Sequence, residues 1–377
     1  MIRIKKAKTE NIFIEQILRP CQMDICFSEK CNLNCEYCFV NKTSADVLDL
    51  KTVKKAVDAF YNLPNKNKTI TFTTSEPFLY PEMFMGAVRY IFAKADEKNI
   101  NIGVVATTNG VLFDKKMQNF VVGLDNRFTL NFSLDGDKKS HDLHRKFRVK
   151  SKLSTFEKAM RNFNHFLKRK NVRIIMTVTP ETVEHIRDNV RFIAKKNFRN
   201  IDVFPQVFAL WPQKNLISLK SGLNKLVDDF NSGKIKGDLR LLNRLWGATH
   251  YAKILLGSDG KFYLFEWVLP LKYEQRKAYI IGGAGKIDMQ KRQALFKLLF
   301  ENIEEKTKHK CKSCENKSFC SNPLPLYLWC VYKKKDFGRY FKNFCRIAEI
   351  MIAASKKIKN KNKLDSGKWE NNAYEKE

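Results

Sequence analysis

The chain has 377 residues, 44% of them hydrophobic, enough to bury a substantial core in one large domain or two smaller ones. Its longest apolar stretches, such as that around 347–354, fall well short of the roughly 20 residues of a membrane-spanning helix, and its basic beginning has no apolar signal core, which points to the cytoplasm. The formal charge of +31 suits nucleic acid, an anionic membrane surface or an acidic peptide, although a Lys- and Asn-rich composition spread over solvated faces gives the same sum.

In chain order, β-branched and aromatic runs at 22–27, 69–74, 101–107, 128–133, 172–178 and 200–205 read as strands. Between them, segments near 50–62, 81–98, 113–122, 153–169 and 183–197 carry helical periodicity. This alternation predicts an α/β fold of repeated βα units around a parallel, barrel-like sheet spanning 1–235. The rhythm then stops. A hairpin with the turn SDGK at 258–261, a helix at 287–305 and a cysteine-rich stretch at 311–345 predict a second module over 236–354, and the polar 355–377 reads as a disordered tail. The Lys-rich segments at 5–8, 66–68, 194–196 and 356–363 lack interleaved aromatics, so no stable nucleic-acid complex is expected.

The ten cysteines crowd into two windows with none across the long middle, a distribution of metal ligands rather than disulfides. The first window reads CNLNCEYC, with Cys31, Cys35 and Cys38 directly after the first strand. Three thiolates can hold a cubane iron–sulfur cluster and leave one iron open to a small molecule. Closed zinc coordination needs a fourth ligand, for which Cys26 is available, although CxxC pairs are the usual zinc spacing. The second window offers Cys311, Cys314 and Cys320 in CKSCENKSFC, then Cys330 and Cys345; ligand type alone suits zinc or an iron–sulfur cluster equally. Cys21 and Cys26 fit neither spacing and read as small apolar residues. His141 and His144 stand beside a turn, where surface or capping roles outnumber metal ligation.

CNLNCEYC resembles the CxxxCxxC signature of the radical S-adenosylmethionine (SAM) superfamily, with Tyr37 as the aromatic before the third cysteine. Further segments resemble that family in order, at the carboxyl ends of predicted strands, where barrel enzymes place their sites. They are FTTSEPFLYPEM at 72–83, TNG at 108–110 and SLDGDKKSHDLHR at 133–145. The resemblance implies a radical SAM partial barrel with a 4Fe–4S cluster on Cys31, Cys35 and Cys38. It also implies SAM contacts from Tyr37, Thr74, Ser75, Glu76, Asn109, Ser133, Asp135 and Arg145. Thr74 and Ser75 stand where the family has glycines, and Arg145 offers a fork for the SAM carboxylate.

The CxxCx5C run resembles the SPASM extension, whose full pattern binds two auxiliary clusters. Here Phe265 replaces a cysteine expected at the hairpin, so the resemblance implies one auxiliary 4Fe–4S cluster on Cys311, Cys314, Cys320 and Cys345, with Cys330 an alternative ligand or a buried thiol. Most relatives of this layout modify peptides, which implies a peptide or protein substrate, acidic if the positive charge is functional, and a low-potential electron donor such as flavodoxin or ferredoxin. A sulfatase maturase forming formylglycine, a carbohydrate or small-molecule dehydrogenase, and a noncatalytic basic zinc protein binding nucleic acid are the other readings.

Overall fold

The computed structural model describes residues 17–42, 44, 46–163, 171–241, 251–308, 310–311, 313–316 and 324–359. Strands β1 (Gln22–Ile25), β2 (Asn67–Phe72), β3 (Asn101–Thr108), β4 (Phe128–Ser133), β5 (Val172–Val178) and β6 (Asn200–Pro205) form where the β-branched runs predict them. Each pairs in parallel with its sequence neighbour, and β7 (Asp238–Arg240) extends the row beside β6. On the other side β8 (Lys253–Leu256) pairs in parallel with β1, and β9 (Lys261–Tyr263), β10 (Ile280–Gly283) and β11 (Lys286–Ile287) follow antiparallel. The eleven strands make one sheet that does not close on itself, a partial barrel. Strands on both sides of position 236 belong to that sheet.

Helices α1 (Leu50–Tyr61), α2 (Pro81–Glu97), α3 (Lys115–Val122), α4 (Lys138–His144), α5 (Thr155–Phe163) and α6 (Ile186–Lys195) return the chain between strands. Their starts are written locally. Asp49, Asp114 and Asp137 accept hydrogen bonds from the amides of Thr52, Met117 and Ser140, satisfying orphan donors of the first turns, and Pro81 occupies the first turn of α2. The expected 153–169 helix is described as α5 only to Phe163, the rest lying outside the described residues. Helices α7 (Gln213–Asn231), α8 (Met289–Lys306), α9 (Leu324–Lys333) and α10 (Phe337–Lys356) follow, with a four-residue helix at Tyr273–Arg276 before α8; of the four long ones only α8 was expected. The tail beyond 359 is outside the described residues.

Alternation along each strand divides the fold. Met23, Ile25, Ile70, Phe72, Val104, Ala106, Leu130, Phe132, Ile174 and Met176 pack against the helices, with a continuous aromatic contact running through Phe72, Phe84, Phe78, Phe113, Phe132 and Phe163. The intervening positions include Asp24, Thr71, Asn131, Asp202 and Lys253, all buried and polar. The strands thus enclose a polar lumen, while the apolar core lies between sheet and helices.

Candidate active site

The carboxyl ends of β1 to β5 converge on the loop holding Cys31, Cys35 and Cys38. That loop is stitched to the segment after α4: Asn34 N–H donates to the Lys146 carbonyl at 2.8 Å, Glu36 N–H to that of His144 at 3.1 Å, and Arg148 N–H to that of Asn32 at 3.0 Å. A bridge between Leu33 and Phe147 completes the seam. Two segments over a hundred residues apart are fixed as one mouth.

Glu76, directly after β2, ties two strand ends together. Its carboxylate accepts from the Thr108 hydroxyl and the Asn109 amide, both at 2.8 Å, and from the Phe78 amide at 3.2 Å. Burial raises the Glu76 carboxyl to about 7, against the pull of the Asn109 amide toward the ionised form. Asn109 in turn donates through Nδ2 to Asn32 Oδ1 at 2.8 Å and lies 3.8 Å from Cys31 Sγ. Gly110 and Gly136 are demanded by geometry: both have positive φ, and a Cβ would strike Phe163 and Asn189 respectively.

On the opposite side of the loop, Asp135 is the hub. It accepts from Arg145 Nε at 2.8 Å and Nη2 at 3.3 Å, from the Thr177 amide at 2.9 Å, and from the Tyr37 hydroxyl. The guanidinium also lies over the Tyr37 ring, 5.3 Å from its centroid. The fork expected for a SAM carboxylate is therefore occupied by Asp135, because a buried carboxylate beside it is a better-placed partner than a ligand at the mouth. Ser133 ends β4 facing the lumen, and its hydroxyl makes no hydrogen bond among the described residues; Ser75 is half-buried beside the mouth.

His141 and His144 are buried joints rather than surface residues. Nδ1 of His141 accepts from the Asp135 amide at 3.4 Å, and burial, aided by Arg145, lowers its ring to about 4. His144 lies between Glu36 at 2.9 Å and the Thr179 hydroxyl at 3.0 Å.

Below the mouth lies a cluster that sequence reasoning missed. Lys253 Nζ pairs with Glu266 at 2.8 Å and lies 4.0 Å from Asp24, which accepts from Thr71 and from Gln22. Period-two alternation of Asp24 with Met23 and Ile25 was the available signal. Nearby, Glu29 and Arg276 form a buried ion pair that fastens the first loop to the chain after the hairpin. An aromatic column continues this fastening from Phe39, next to Cys38, through Trp267, Phe208 and Trp329 to Tyr340.

The C-terminal cysteines are spread over several elements. Cys311 is half-buried and Cys314 exposed in the turn after α8, Cys345 is half-buried on α10, and Cys320 lies outside the described residues. Cys330 is buried in the apolar core on α9, and burial pushes its thiol up to about 12. Phe265 is buried and stacks on Phe296, with centroids 5.9 Å apart.

An open α/β barrel with a cysteine loop and polar groups at the carboxyl ends of its parallel strands has the arrangement in which barrel enzymes place their sites. Residues 25–193 match the model of the Radical SAM superfamily. The chain is 24% identical over 361 residues to a cysteine-type anaerobic sulfatase-maturating enzyme of Clostridium perfringens, covering 85% of this chain and 96% of that one. Its fold matches the solved structure of native anSMEcpe with bound AdoMet and Cp18Cys peptide, with a TM-score of 0.66, 22% identity, and 89% and 99% of the two chains covered. It also matches Streptococcus suis SuiB bound to the precursor peptide SuiA, with a TM-score of 0.50, 16% identity, and 70% and 64% covered. The chain carries a Radical SAM domain over residues 25–193. It is an enzyme of that superfamily, whose chemistry draws on SAM and a 4Fe–4S cluster.

The residues at the mouth suit those groups. Burial raises the thiols of Cys31, to about 12, and of Cys35, so that a metal cation is what would hold them as thiolates, with Arg145 and Lys42 supplying positive charge beside Cys35. Among the described residues no group of three or more His, Cys, Asp or Glu side chains is placed to hold a single metal ion. Buried polar atoms without partners also face this region. Asn32 Nδ2 is unpaired, and the Thr74 hydroxyl has the Cys26 thiol beside it and no oxygen or nitrogen partner. Among the described residues no helix is long and apolar enough to cross a membrane.

Proposed function

We propose that this enzyme modifies a peptide or protein, and that Cys31, Cys35 and Cys38 hold the SAM-binding cluster. A cluster and SAM held there would supply the radical chemistry that removes a hydrogen atom from the substrate. The protein's own part is orientation and shielding. Asn109 and Thr74 present polar groups at the mouth, Ser75 and Ser133 offer free hydroxyls, and Glu76 fixes the ends of β2 and β3. Asp135 and Arg145 hold Tyr37 and the cysteine loop in register. The observation that carries the substrate class is the alignment with a sulfatase-maturating enzyme through 96% of that protein's length.

We assign one auxiliary cluster to Cys311, Cys314, Cys320 and Cys345. Cys330 is left out because its thiol is committed to the core, and the hairpin position is filled by the packed ring of Phe265. A low-potential flavodoxin or ferredoxin is the proposed electron donor, and the cytoplasm the proposed compartment. A sulfatase maturase is the second reading, favoured by the curated relative and opposed by Phe265. The test is an anaerobic reaction of the reconstituted enzyme with peptides encoded beside its gene and with a sulfatase-type cysteine peptide, followed by mass spectrometry. A SAM-dependent mass change in a neighbouring peptide alone supports the first reading, formylglycine in the sulfatase peptide supports the second, and turnover of neither excludes both.

A further inference from the structure

At the end of the barrel opposite the cysteine loop, a cleft of about 1140 Å³ opens between the amino-terminal ends of β5 to β7 and the carboxyl-terminal ends of α6 and α7. Eight basic side chains line it against one acidic side chain, Asp238. Three of the eight are neutralised: Arg173 by Asp202 at 3.3 Å, Arg191 by Asp229 at 3.1 Å, and Arg240 by Asp238 at 2.9 Å. The other five, Lys195, Arg199, Lys234, Lys236 and Lys359, are exposed and have no ion pair among the described residues.

The ordinary purpose of Lys and Arg at such a place is to complement helix carboxyl ends. Two helices end here, and each contributes about half a negative charge, roughly one charge in all. Five unpaired cations exceed that several-fold. Walls of low dielectric around a concave space also focus the potential of like charges into it. The cleft is slightly larger than the ~300–1,000 Å³ of ordinary ligand sites, which suits an extended segment rather than a small ion.

We propose that this cleft is an exosite for an acidic peptide segment, carried by the protein or peptide that the enzyme modifies. The proposal deepens the peptide-substrate reading and rests on it. Acidic peptide is favoured over nucleic acid because the cleft presents no exposed aromatic face for base stacking: Phe198 is buried and Phe230 half-buried. Its place relative to the chemistry fixes its role. β5 has seven residues, about 20 Å at ~3.3 Å per residue, so a segment held here lies a strand's length from the mouth. It tethers substrate and raises its local concentration without touching the reacting atoms.

The test uses full-length reconstituted enzyme and a fluorescein-labelled oligoglutamate, with binding read by anisotropy at low and moderate salt. A cleft variant carries Lys195→Glu, Arg199→Glu, Lys234→Glu and Lys236→Glu. A control variant with the same charge change carries Lys51→Glu, Lys55→Glu, Lys115→Glu and Lys152→Glu, all exposed elsewhere. The expected result is oligoglutamate binding that the cleft variant weakens by about tenfold or more and the control does not, with SAM cleavage unchanged in both. Equal weakening by both variants, or no binding by the wild type, overturns the exosite. Binding of a single-stranded oligonucleotide that is tighter than oligoglutamate and lost in the cleft variant overturns the choice of a peptide. Because this readout needs no turnover, a failed exosite is distinguishable from a failed assignment of peptide modification.

Discussion

Arg145 closes its guanidinium on Asp135 with both side chains almost fully buried, at 8% and 2% exposure. Burial works against the charge on Asp135, but Arg145 outweighs it and holds that carboxyl below its usual range. Removing one partner leaves the other charged and desolvated. Asp135→Asn and Arg145→Ala should each destabilise the fold by about 3–5 kcal/mol, and the double variant should cost less than the sum. Chemical denaturation measures this. If Arg145 acts on SAM through Asp135 and Tyr37, Asp135→Asn weakens SAM affinity as much as Arg145→Ala does; a SAM defect confined to Arg145→Ala would make the contact direct.

Replacing Cys31, Cys35 or Cys38 with Ala should abolish SAM cleavage, since three thiolates are the minimum that holds a cubane with one open iron. Liquid chromatography of 5'-deoxyadenosine after anaerobic reduction gives the answer. Product at the wild-type level in any of the three variants contradicts their assignment.

With Phe265 stacked on Phe296 at the hairpin, the fully reconstituted protein should contain two cubanes, about eight irons per chain. Roughly four or twelve irons would refute the count. Phe265→Ala should lower stability by about 3–5 kcal/mol through the lost ring and the cavity, and should leave the iron content unchanged.

Lys68, at the amino-terminal end of the sheet, is buried over the Phe60 ring and donates to the Leu63 carbonyl at 3.1 Å. Desolvation lowers its ammonium to about 8 from an ordinary 10.5. The unfolded chain therefore binds this proton more tightly between those values, so the group's contribution is complete above about 10.5 and is lost as pH falls through about 8. Lys68→Met should be as stable as the wild type or more stable at pH 7, by up to about 2 kcal/mol, with the advantage shrinking as pH rises above 8. Thermal unfolding of both proteins between pH 7 and 10 tests the slope; parallel curves would show that Lys68 keeps its ordinary affinity for the proton.

What the sequence made legible is what is local. Strands β1 to β6 follow from runs with a two-residue period, and the cysteine loop from spacing within eight residues. Helix α7 carried its own signal in Leu216, Leu219, Leu223 and Leu226, a helical stripe between the last expected strand and the end of the expected barrel segment. The partners that decide the site were not legible, because they meet across long stretches of chain. Tyr37 reaches Asp135 over 98 residues, and Glu29 reaches Arg276 over 247. A lone Arg145 beside a carboxylate-binding motif reads as a ligand contact until the fold shows the buried acid ten residues earlier that uses its fork. The histidines misled for the same reason: proximity to a turn predicts exposure, yet β4 and the cysteine loop bury both.

The parallel pairing of β8 with β1 sets an order on biogenesis. During synthesis β1 emerges first and acquires β2 soon afterwards, but its other edge receives Cys21 N–H to Ala252 carbonyl and Cys26 N–H to Leu256 carbonyl only after some 230 further residues have left the ribosome. Until then a strand next to the cysteine loop presents open amides and carbonyls to any passing chain. Fragments ending before β8 keep that edge permanently bare, which makes chaperone engagement and insolubility the natural fate of truncated translation products.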